Sequence, residues 1–162
     1  METRWLDERE ERAWRGFHAL RSGLTAHLGR ELARASDLTE ADYAVLVALS
    51  EAPEGAVRFR DLGCALGWER SRLSRQVARM EGRGTVERRA CAGDARGFDV
   101  HLTAEGERAI EAAAPAHLAA VRHCFVDLLT PEQLDTLAEV AEVVTRHLAD
   151  EHGPRSGEAD DA

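Results

Sequence analysis

The 162-residue sequence contains no lysine, so all 21 of its basic residues are arginine. This absence is typical of a coding bias, and we attach no functional meaning to it. Aromatic residues are also few, at 5% of the chain, whereas alanine and leucine are abundant. A composition of this kind favours helices.

The sequence also lacks an apolar run approaching the roughly 20 residues that a membrane-spanning helix needs. Its first residues, METRWLDEREER, are too acidic for a secretory signal peptide. The three cysteines, Cys64, Cys91 and Cys124, contain no C-x-x-C pair, which excludes a disulfide framework and a zinc knuckle. We therefore expect a cytoplasmic protein without a metal or other cofactor, in which Cys64 and Cys124 are small buried hydrophobic residues.

The net charge of −9 is unevenly distributed along the chain. Residues 58–101 contain ten arginines and six acidic residues, a local charge of +4, so the remainder carries −13. A DNA-binding module on an acidic scaffold has this asymmetry, because only the surface that faces DNA must neutralise phosphates. Charge alone is equally consistent with a solvated helical face.

Apolar residues three or four positions apart predict a long amphipathic helix over residues 5–34 and a last helix that begins at Pro131. Thr130 and Gln133 form the capping-box pattern of that last helix. The two apolar stripes consist of Trp14, Phe17, Leu20, Leu24, Leu28 and Leu32, and of Leu134, Leu137, Val140, Val144 and Leu148.

Between these helices the sequence predicts a helix-turn-helix. Thr39 caps a helix that ends at SEAPEG, a short helix follows over residues 59–66, and another starts near Arg70 and ends at residues 82–84. Gly67 fits the position after the short helix, where φ is positive. Two short helices joined by a tight glycine turn are typical of this motif.

A predicted β-hairpin comes next, formed by TVERRA and FDVHL with CAGDARG as its turn. A hairpin directly behind a helix-turn-helix is called a wing. Thr103 then caps a long helix, AEGERAIEAAAPAHLAAVRHCFVDLL, which Pro115 is expected to kink. The fold class is thus mainly α with a small β-hairpin wing.

The helix that starts near Arg70 has two chemically different faces. Leu73, Val77 and Met80 share the face expected in the core, at about 100° of rotation per residue. The opposite face is polar and cationic, which suits entry into a major groove. There Arg75 can pair with a guanine edge, whereas serine hydroxyls can hold phosphates. That face contains Ser71, Ser74, Arg75, Ala78 and Arg79.

The segment from DYAVLVAL to HLTAEG resembles the winged helix-turn-helix of the MarR family of transcriptional regulators. The family's spacing D-x-R-x-x-x-V-x-L-T-x-x-G is met by Asp94, Arg96, Val100, Leu102, Thr103 and Gly106. The resemblance implies a DNA-binding region over residues 37–103 and a helical dimerisation region over residues 1–36 and 104–150. Residues 151–162 are predicted to be a disordered acidic tail.

The resemblance further implies a homodimer, since the first and last helices of two chains interlace in this family. It also implies that Arg96 at the wing tip enters the minor groove and that Asp94 orients its guanidinium; a purely structural pair that closes the turn is the alternative. We therefore expect a sequence-specific regulator, a repressor, on a pseudo-palindromic double-stranded operator. The expected DNA-binding residues are Arg70, Ser71, Arg72, Ser74, Arg75, Arg79, Asp94 and Arg96.

Two residues depart from the family pattern. Glu69 stands where a serine often caps the recognition helix, and it brings negative charge towards DNA. Thr85 occupies a position that is usually apolar at the start of the first wing strand. We therefore expect a difference in site choice and in strand packing, respectively.

Members of this family often bind small aromatic acids in a crevice beside the dimer helices. The segments that could line such a crevice here contain Trp14, Phe17, His18, Arg21 and Tyr43, although core packing is the commoner role of such residues. An effector of this kind would release the protein from DNA.

Three other classes of function are weighed against this interpretation. A thiol sensor would have to use Cys91, whose thiolate is favoured by neighbouring arginines. A winged-helix adaptor that binds only protein would not need both Arg75 and Arg96. An enzyme is not expected, because His117 and Cys124 have no third ligand for a zinc site.

Overall fold

The computed structural model describes residues 3–90 and 97–152. In this part of the chain, the helices are α1 (Glu8–Ala35), α2 (Glu40–Ser50), α3 (Phe59–Leu66), α4 (Arg70–Gly82), α5 (Ala104–Cys124) and α6 (Pro131–His152). The strands are β1 (Ala56–Arg58), β2 (Val86–Ala90) and β3 (Phe98–Leu102), and 3-10 turns cover Pro53–Gly55 and Val126–Leu128. The predicted class, mainly α with a small β-hairpin wing, is confirmed.

The chain forms two compact units that divide between Val121 and Arg122. In the first unit, an antiparallel sheet has the strand order β1-β3-β2. β2 and β3 are the predicted hairpin, with Arg88 opposite Val100. β1, which the sequence did not reveal, pairs with the other edge of β3 and places Val57 opposite Val100.

The core of the first unit lies between the helix-turn-helix and the sheet. Leu73, Val77 and Met80 of α4 are fully buried, as their spacing predicted. They belong to one hydrophobic cluster that also contains Leu46, Leu49, Leu62, Val86 and Val100. Burial of this face fixes the rotation of α4 about its axis, so the opposite face of the helix points outward.

The predicted capping residues have their expected roles. The Thr39 hydroxyl accepts a hydrogen bond from the N–H of Asp42, and the Thr130 hydroxyl accepts one from the N–H of Gln133. Gly67 ends α3 with φ of 62°, which only glycine adopts at little cost. Gly67 thereby sets the end of α3 at the turn that precedes α4.

Four predictions need correction. The predicted helix over residues 104–129 ends at Cys124, because Phe125 has non-helical dihedral angles and a 3-10 turn follows. Cys64 is exposed rather than buried, since it lies about 200° around α3 from the buried Leu62. Cys124 is only half-buried. Finally, α6 continues to residue 152 and so extends into the predicted tail.

Several sequence predictions lie outside the described residues. Cys91, Asp94 and Arg96 fall within residues 91–96, and the rest of the predicted tail is residues 153–162.

Pro115 lies inside α5, which is a single helix on both sides of it.

Candidate nucleic-acid interface

The start of the wing is held against the start of α5 by hydrogen bonds of the Thr103 hydroxyl. The Thr103 hydroxyl donates a hydrogen bond to the Gly84 carbonyl at 2.6 Å and accepts one from the N–H of Gly106 at 3.1 Å. A Cβ atom at position 106 would lie 2.1 Å from the Thr85 carbonyl oxygen, so this position requires glycine. Thr85 itself is buried, and its hydroxyl donates to the Met80 carbonyl, which explains a polar residue there.

α4 presents a cationic face opposite its buried face. Arg70, Arg72, Arg75 and Arg79 are all exposed, as is Ser71, while Ser74 is half-buried. No carboxylate among the described residues lies within ion-pair distance of the first three arginines. Their charges are therefore available to an external anion.

Two arginines of α1 are paired, in contrast to the first three arginines of α4. Arg15 donates to Glu11 at 2.5 Å, and Arg34 donates to Glu31 at 2.6 Å, each within one turn of α1. Exposed pairs of this kind contribute little to stability, but they reduce the local positive potential. The first three arginines of α4 lack such a partner and therefore keep more of their positive potential than Arg15 and Arg34 do.

The fourth arginine of this face, Arg79, is held by a buried network that the sequence analysis missed. Arg79 donates to the side-chain oxygen of Gln76, and the Gln76 amide donates to Asp42 at 2.5 Å. Asp42, which is 1% exposed, also accepts a hydrogen bond from Arg83. A glutamine between Leu73 and Val77 on an otherwise apolar face was the available signal.

Nearby charged and polar groups offset the desolvation of the buried Asp42 carboxylate. Desolvation alone would raise the pKa of the Asp42 carboxyl group, because it penalises the charged form. Hydrogen bonds from Arg83 and from the backbone and hydroxyl of Thr39 outweigh this effect and lower the pKa below its ordinary value. Asp42 therefore stays ionised and holds α2 against α4.

The turn before α4 carries an aromatic residue beside a cation. Glu69 is the N-cap residue, but its side chain makes no capping hydrogen bond. One residue earlier, Trp68 places its ring 4.2 Å from the Cζ atom of Arg72. The Trp68 N–H donates to the Gly63 carbonyl at 2.9 Å, which fixes the backbone of this turn to α3.

The base of the wing is attached to α4 through Arg88 of β2. The Arg88 guanidinium donates to the Ser74 carbonyl at 3.3 Å and lies 3.5 Å from the Glu81 carboxylate. It also lies 5.1 Å from the ring centre of Phe98. The base of the wing and α4 are consequently positioned relative to each other, although the wing tip is outside the described residues.

Four of the five candidate effector residues lie together on α1. Trp14 stacks against Phe17 at 6.1 Å and meets His18 edge-on at 4.3 Å, while Arg21 lies 6.0 Å from the Phe17 ring centre. The fifth residue, Tyr43 of α2, instead contacts His117 of α5, with ring centres 4.4 Å apart.

His117 is a further residue whose environment the sequence did not indicate. Within the described residues its buried Nδ1 atom has no hydrogen-bond partner. Burial lowers the pKa of His117, and the nearby carboxylate of Glu40 opposes this shift only in part. Burial likewise raises the pKa of Tyr43.

None of the helices within residues 3–90 and 97–152 combines the length and the apolar character that a membrane span requires. Nor does this part of the chain contain a group of three or more histidine, cysteine or acidic residues arranged to hold a metal ion.

Comparison with known proteins agrees with the winged helix-turn-helix geometry. The sequence model of the MarR family matches residues 36–97. The transcriptional regulator HosA from Escherichia coli is 38% identical over 101 residues, which is 62% of this chain and 73% of HosA.

Solved structures extend the similarity over nearly the whole chain. AbsC, a MarR family transcriptional regulator from Streptomyces coelicolor, is 39% identical, with a TM-score of 0.85 over 91% of this chain and 99% of AbsC. Sco3205, a MarR family regulator from the same organism whose structure contains DNA, is 37% identical, with a TM-score of 0.86 over 98% of this chain and 97% of Sco3205. On this evidence the chain belongs to the MarR family of transcriptional regulators.

Proposed function

We propose that this chain is a homodimeric repressor that binds a pseudo-palindromic operator and that a small aromatic acid releases it. Each protomer contacts one half-site: α4 reads the major groove and the wing contacts the adjacent minor groove. The observation that carries this proposal is the exposed, uncompensated arginine face of α4, directly opposite the face that packs in the core.

Arg75 is the residue that we assign to base recognition. It is exposed, it has no carboxylate partner among the described residues, and it lies in the first half of α4, the part of a recognition helix that contacts base edges. Arg70, Arg72, Ser71 and Ser74 surround it and are assigned to phosphates. Support for DNA as the ligand also comes from Sco3205, which was crystallised with DNA.

The operator can be obtained by selecting sequences from random DNA with the full-length protein. On that duplex, Arg75→Ala is expected to cost roughly 1–3 kcal/mol per half-site and to relax preference at one position. Arg15→Ala removes the same charge from α1, where Glu11 already pairs it, and serves as the control with little change. Equal weakening by Arg75→Ala on operator and scrambled DNA would make Arg75 a phosphate contact instead.

The repressor assignment has its own test. Genes preceded by the selected sequence should be transcribed more strongly in cells that lack this protein. Unchanged or lower transcript levels would contradict repression while leaving DNA binding intact.

The effector proposal rests on the ring cluster of α1. Trp14 and Phe17 offer aromatic faces at more than half exposure, and Arg21 beside them can neutralise a carboxylate. An aromatic acid combines the two features that this cluster recognises. Tyr43 would contribute from α2, where it lies against His117.

Benzoate is the simplest probe of that site. Millimolar benzoate is expected to bind the full-length protein by calorimetry and to release a labelled operator in anisotropy measurements. Arg21→Ala should abolish both effects, whereas Arg15→Ala should preserve them. Release that persists in Arg21→Ala would place the effector site elsewhere.

A further inference from the structure

We propose that Trp68 is a positioning residue for DNA binding, because its indole ring holds the Arg72 guanidinium in place at the start of α4. This inference rests on the proposed DNA-binding role of that helix. It concerns Trp68 and the contact that links it to Arg72.

The ring of Trp68 is itself fixed in position. The backbone N–H of Trp68 donates to the Gly63 carbonyl at 2.9 Å, and the Trp68 side chain is half-buried against the hydrophobic core. A Cβ atom at Gly63 would lie 3.4 Å from the Trp68 carbonyl oxygen and 3.5 Å from Leu73 Cδ2, so α3 approaches this turn closely. Trp68 and Leu73 occupy the N′ and N4 positions of α4, which form a hydrophobic staple in many helices.

Arg72 meets this ring at short range. Its Cζ atom lies 4.2 Å from the ring centre, well inside the limit of about 6 Å for a cation–π interaction. No carboxylate among the described residues lies within ion-pair distance to draw the guanidinium away. Because a guanidinium can engage a ring through its face, its in-plane N–H groups remain free for a phosphate or a base edge.

This arrangement distinguishes Arg72 from the other arginines of the same helix. In the described part of the chain, the arginines over aromatic rings are Arg21, Arg72 and Arg88, and only Arg72 belongs to α4. An arginine side chain loses rotamer freedom when it binds, and a partner that orders it beforehand lowers that cost. The Trp68 ring therefore supplies preorganisation without adding or removing charge.

The test uses the full-length protein, the duplex that it selects from random DNA, and a scrambled duplex. Trp68→Leu is expected to weaken operator binding roughly two- to fivefold per half-site, the size of an exposed cation–π contact. The salt dependence of binding should not change, because the number of cations is the same. Trp68→Phe retains an aromatic face and should recover most of the affinity.

The decisive comparison is a double-mutant cycle with Arg72→Ala. If Trp68 acts through Arg72, Trp68→Leu should have no further effect once Arg72 is alanine. Losses that add in the cycle, while the intact protein binds its operator normally, would overturn this inference alone. A selection that enriches no sequence would overturn the proposed function and this inference with it.

A measurement on the intact protein covers the case in which Trp68→Leu does not fold. The Nε–H signal of Arg72 in an NMR spectrum should be displaced by the ring current of Trp68, whereas that of Arg75 should not. An Arg72 signal at the ordinary arginine position would contradict the contact.

Discussion

Gly106 illustrates how a single residue of the family signature is set by packing. The Thr85 carbonyl occupies the space that a side chain at position 106 would fill, at 2.1 Å from an added Cβ. Thr103, three residues earlier, caps α5 and at the same time bonds the Gly84 carbonyl. The L-T-x-x-G part of the signature therefore joins the end of β3 to α5 and leaves little room for substitution.

Asp42 and Arg83 illustrate the cost of a buried charge. A carboxylate removed from water destabilises the fold unless charged or polar partners compensate it. Arg83, Gln76 and Thr39 provide those partners, and through Gln76 the network reaches Arg79 on the arginine face. The side chain of Arg79 is thus held in place from the core.

The lowered pKa of His117 predicts a pH dependence of stability. Burial favours the neutral imidazole, so the unfolded chain binds a proton at higher pH than the folded chain does. The contribution of His117 to the free energy of unfolding should be complete above its unfolded pKa of about 6.5 and should decline as pH falls below that value. Urea unfolding between pH 7 and 5 measures this decline.

Two variants isolate the contribution of His117 to this pH dependence. His117→Phe keeps a ring against Tyr43 but cannot titrate, so it should lose less stability than the intact protein over this pH range. His123→Phe changes an exposed histidine and should behave like the intact protein. An equal pH dependence in His117→Phe and the intact protein would show that His117 is not the responsible group.

At the scale of elements, local patterns predicted most of the fold. The spacing of Leu73, Val77 and Met80 gave the buried face of α4, and Gly67 marked the end of α3, because both signals involve residues within one or two turns. β1 was missed because its three residues are too short to show alternation and their partner is β3, more than forty positions away.

The candidate site was predictable in part for the same reason. The arginine face of α4 follows from helical geometry, so its exposed members could be named from the sequence. The Gln76–Asp42 hydrogen bond joins residues 34 positions apart, and no local pattern encodes it. The Trp68–Arg72 contact depends on the conformation of the turn between α3 and α4. Gly67 indicated that a turn occurs there but not how the side chains around it are placed.

The wing provides a paired prediction about Asp94 and Arg96, both of which lie outside the described residues. If Arg96 enters the minor groove, Arg96→Ala should lower operator affinity and reduce the slope of log K against log salt by about one per wing. Asp94→Ala keeps the cation but removes its orientation, so it should weaken specific binding without reducing that slope. Anisotropy titrations at several salt concentrations measure both quantities.

The double mutant decides whether the two residues act together. Asp94→Ala should add nothing to Arg96→Ala, because the aspartate then has no guanidinium to orient. Additive losses would mean that Asp94 does not act through Arg96 and closes the turn independently.

At the scale of the whole molecule, charge is separated along the chain. The excess of positive charge lies in residues 58–101, which include α4 and the wing, while the remaining residues carry −13. Negative charge elsewhere disfavours approach of DNA to other surfaces and so helps to orient the encounter. Binding should accordingly fall steeply with salt although the protein as a whole is acidic.

The exposed apolar stripes of α1 and α6 predict an obligate homodimer. Leu20 on α1 is 45% exposed and Val140 on α6 is 55% exposed, and each lies among further apolar residues on its own helix. Surfaces of this kind are rarely left in water by a soluble protein, and obligate dimer interfaces commonly bury more than about 2,000 Å². Sedimentation velocity should therefore show a dimer at micromolar concentration.

Charge introduced into the stripes should disrupt that dimer. Val140→Asp and Leu20→Asp each place a carboxylate where an apolar contact with the partner chain is proposed, and burial of an unpaired charge is costly. Both variants should sediment as monomers or weakened dimers and lose operator affinity, because one protomer alone holds only one half-site. Arg15→Asp, a charge change at an exposed, ion-paired position of α1, is the control and should remain dimeric. A folded monomer of the intact chain at micromolar concentration would instead mean that each protomer binds DNA independently, and the proposed pseudo-palindromic operator would no longer be required.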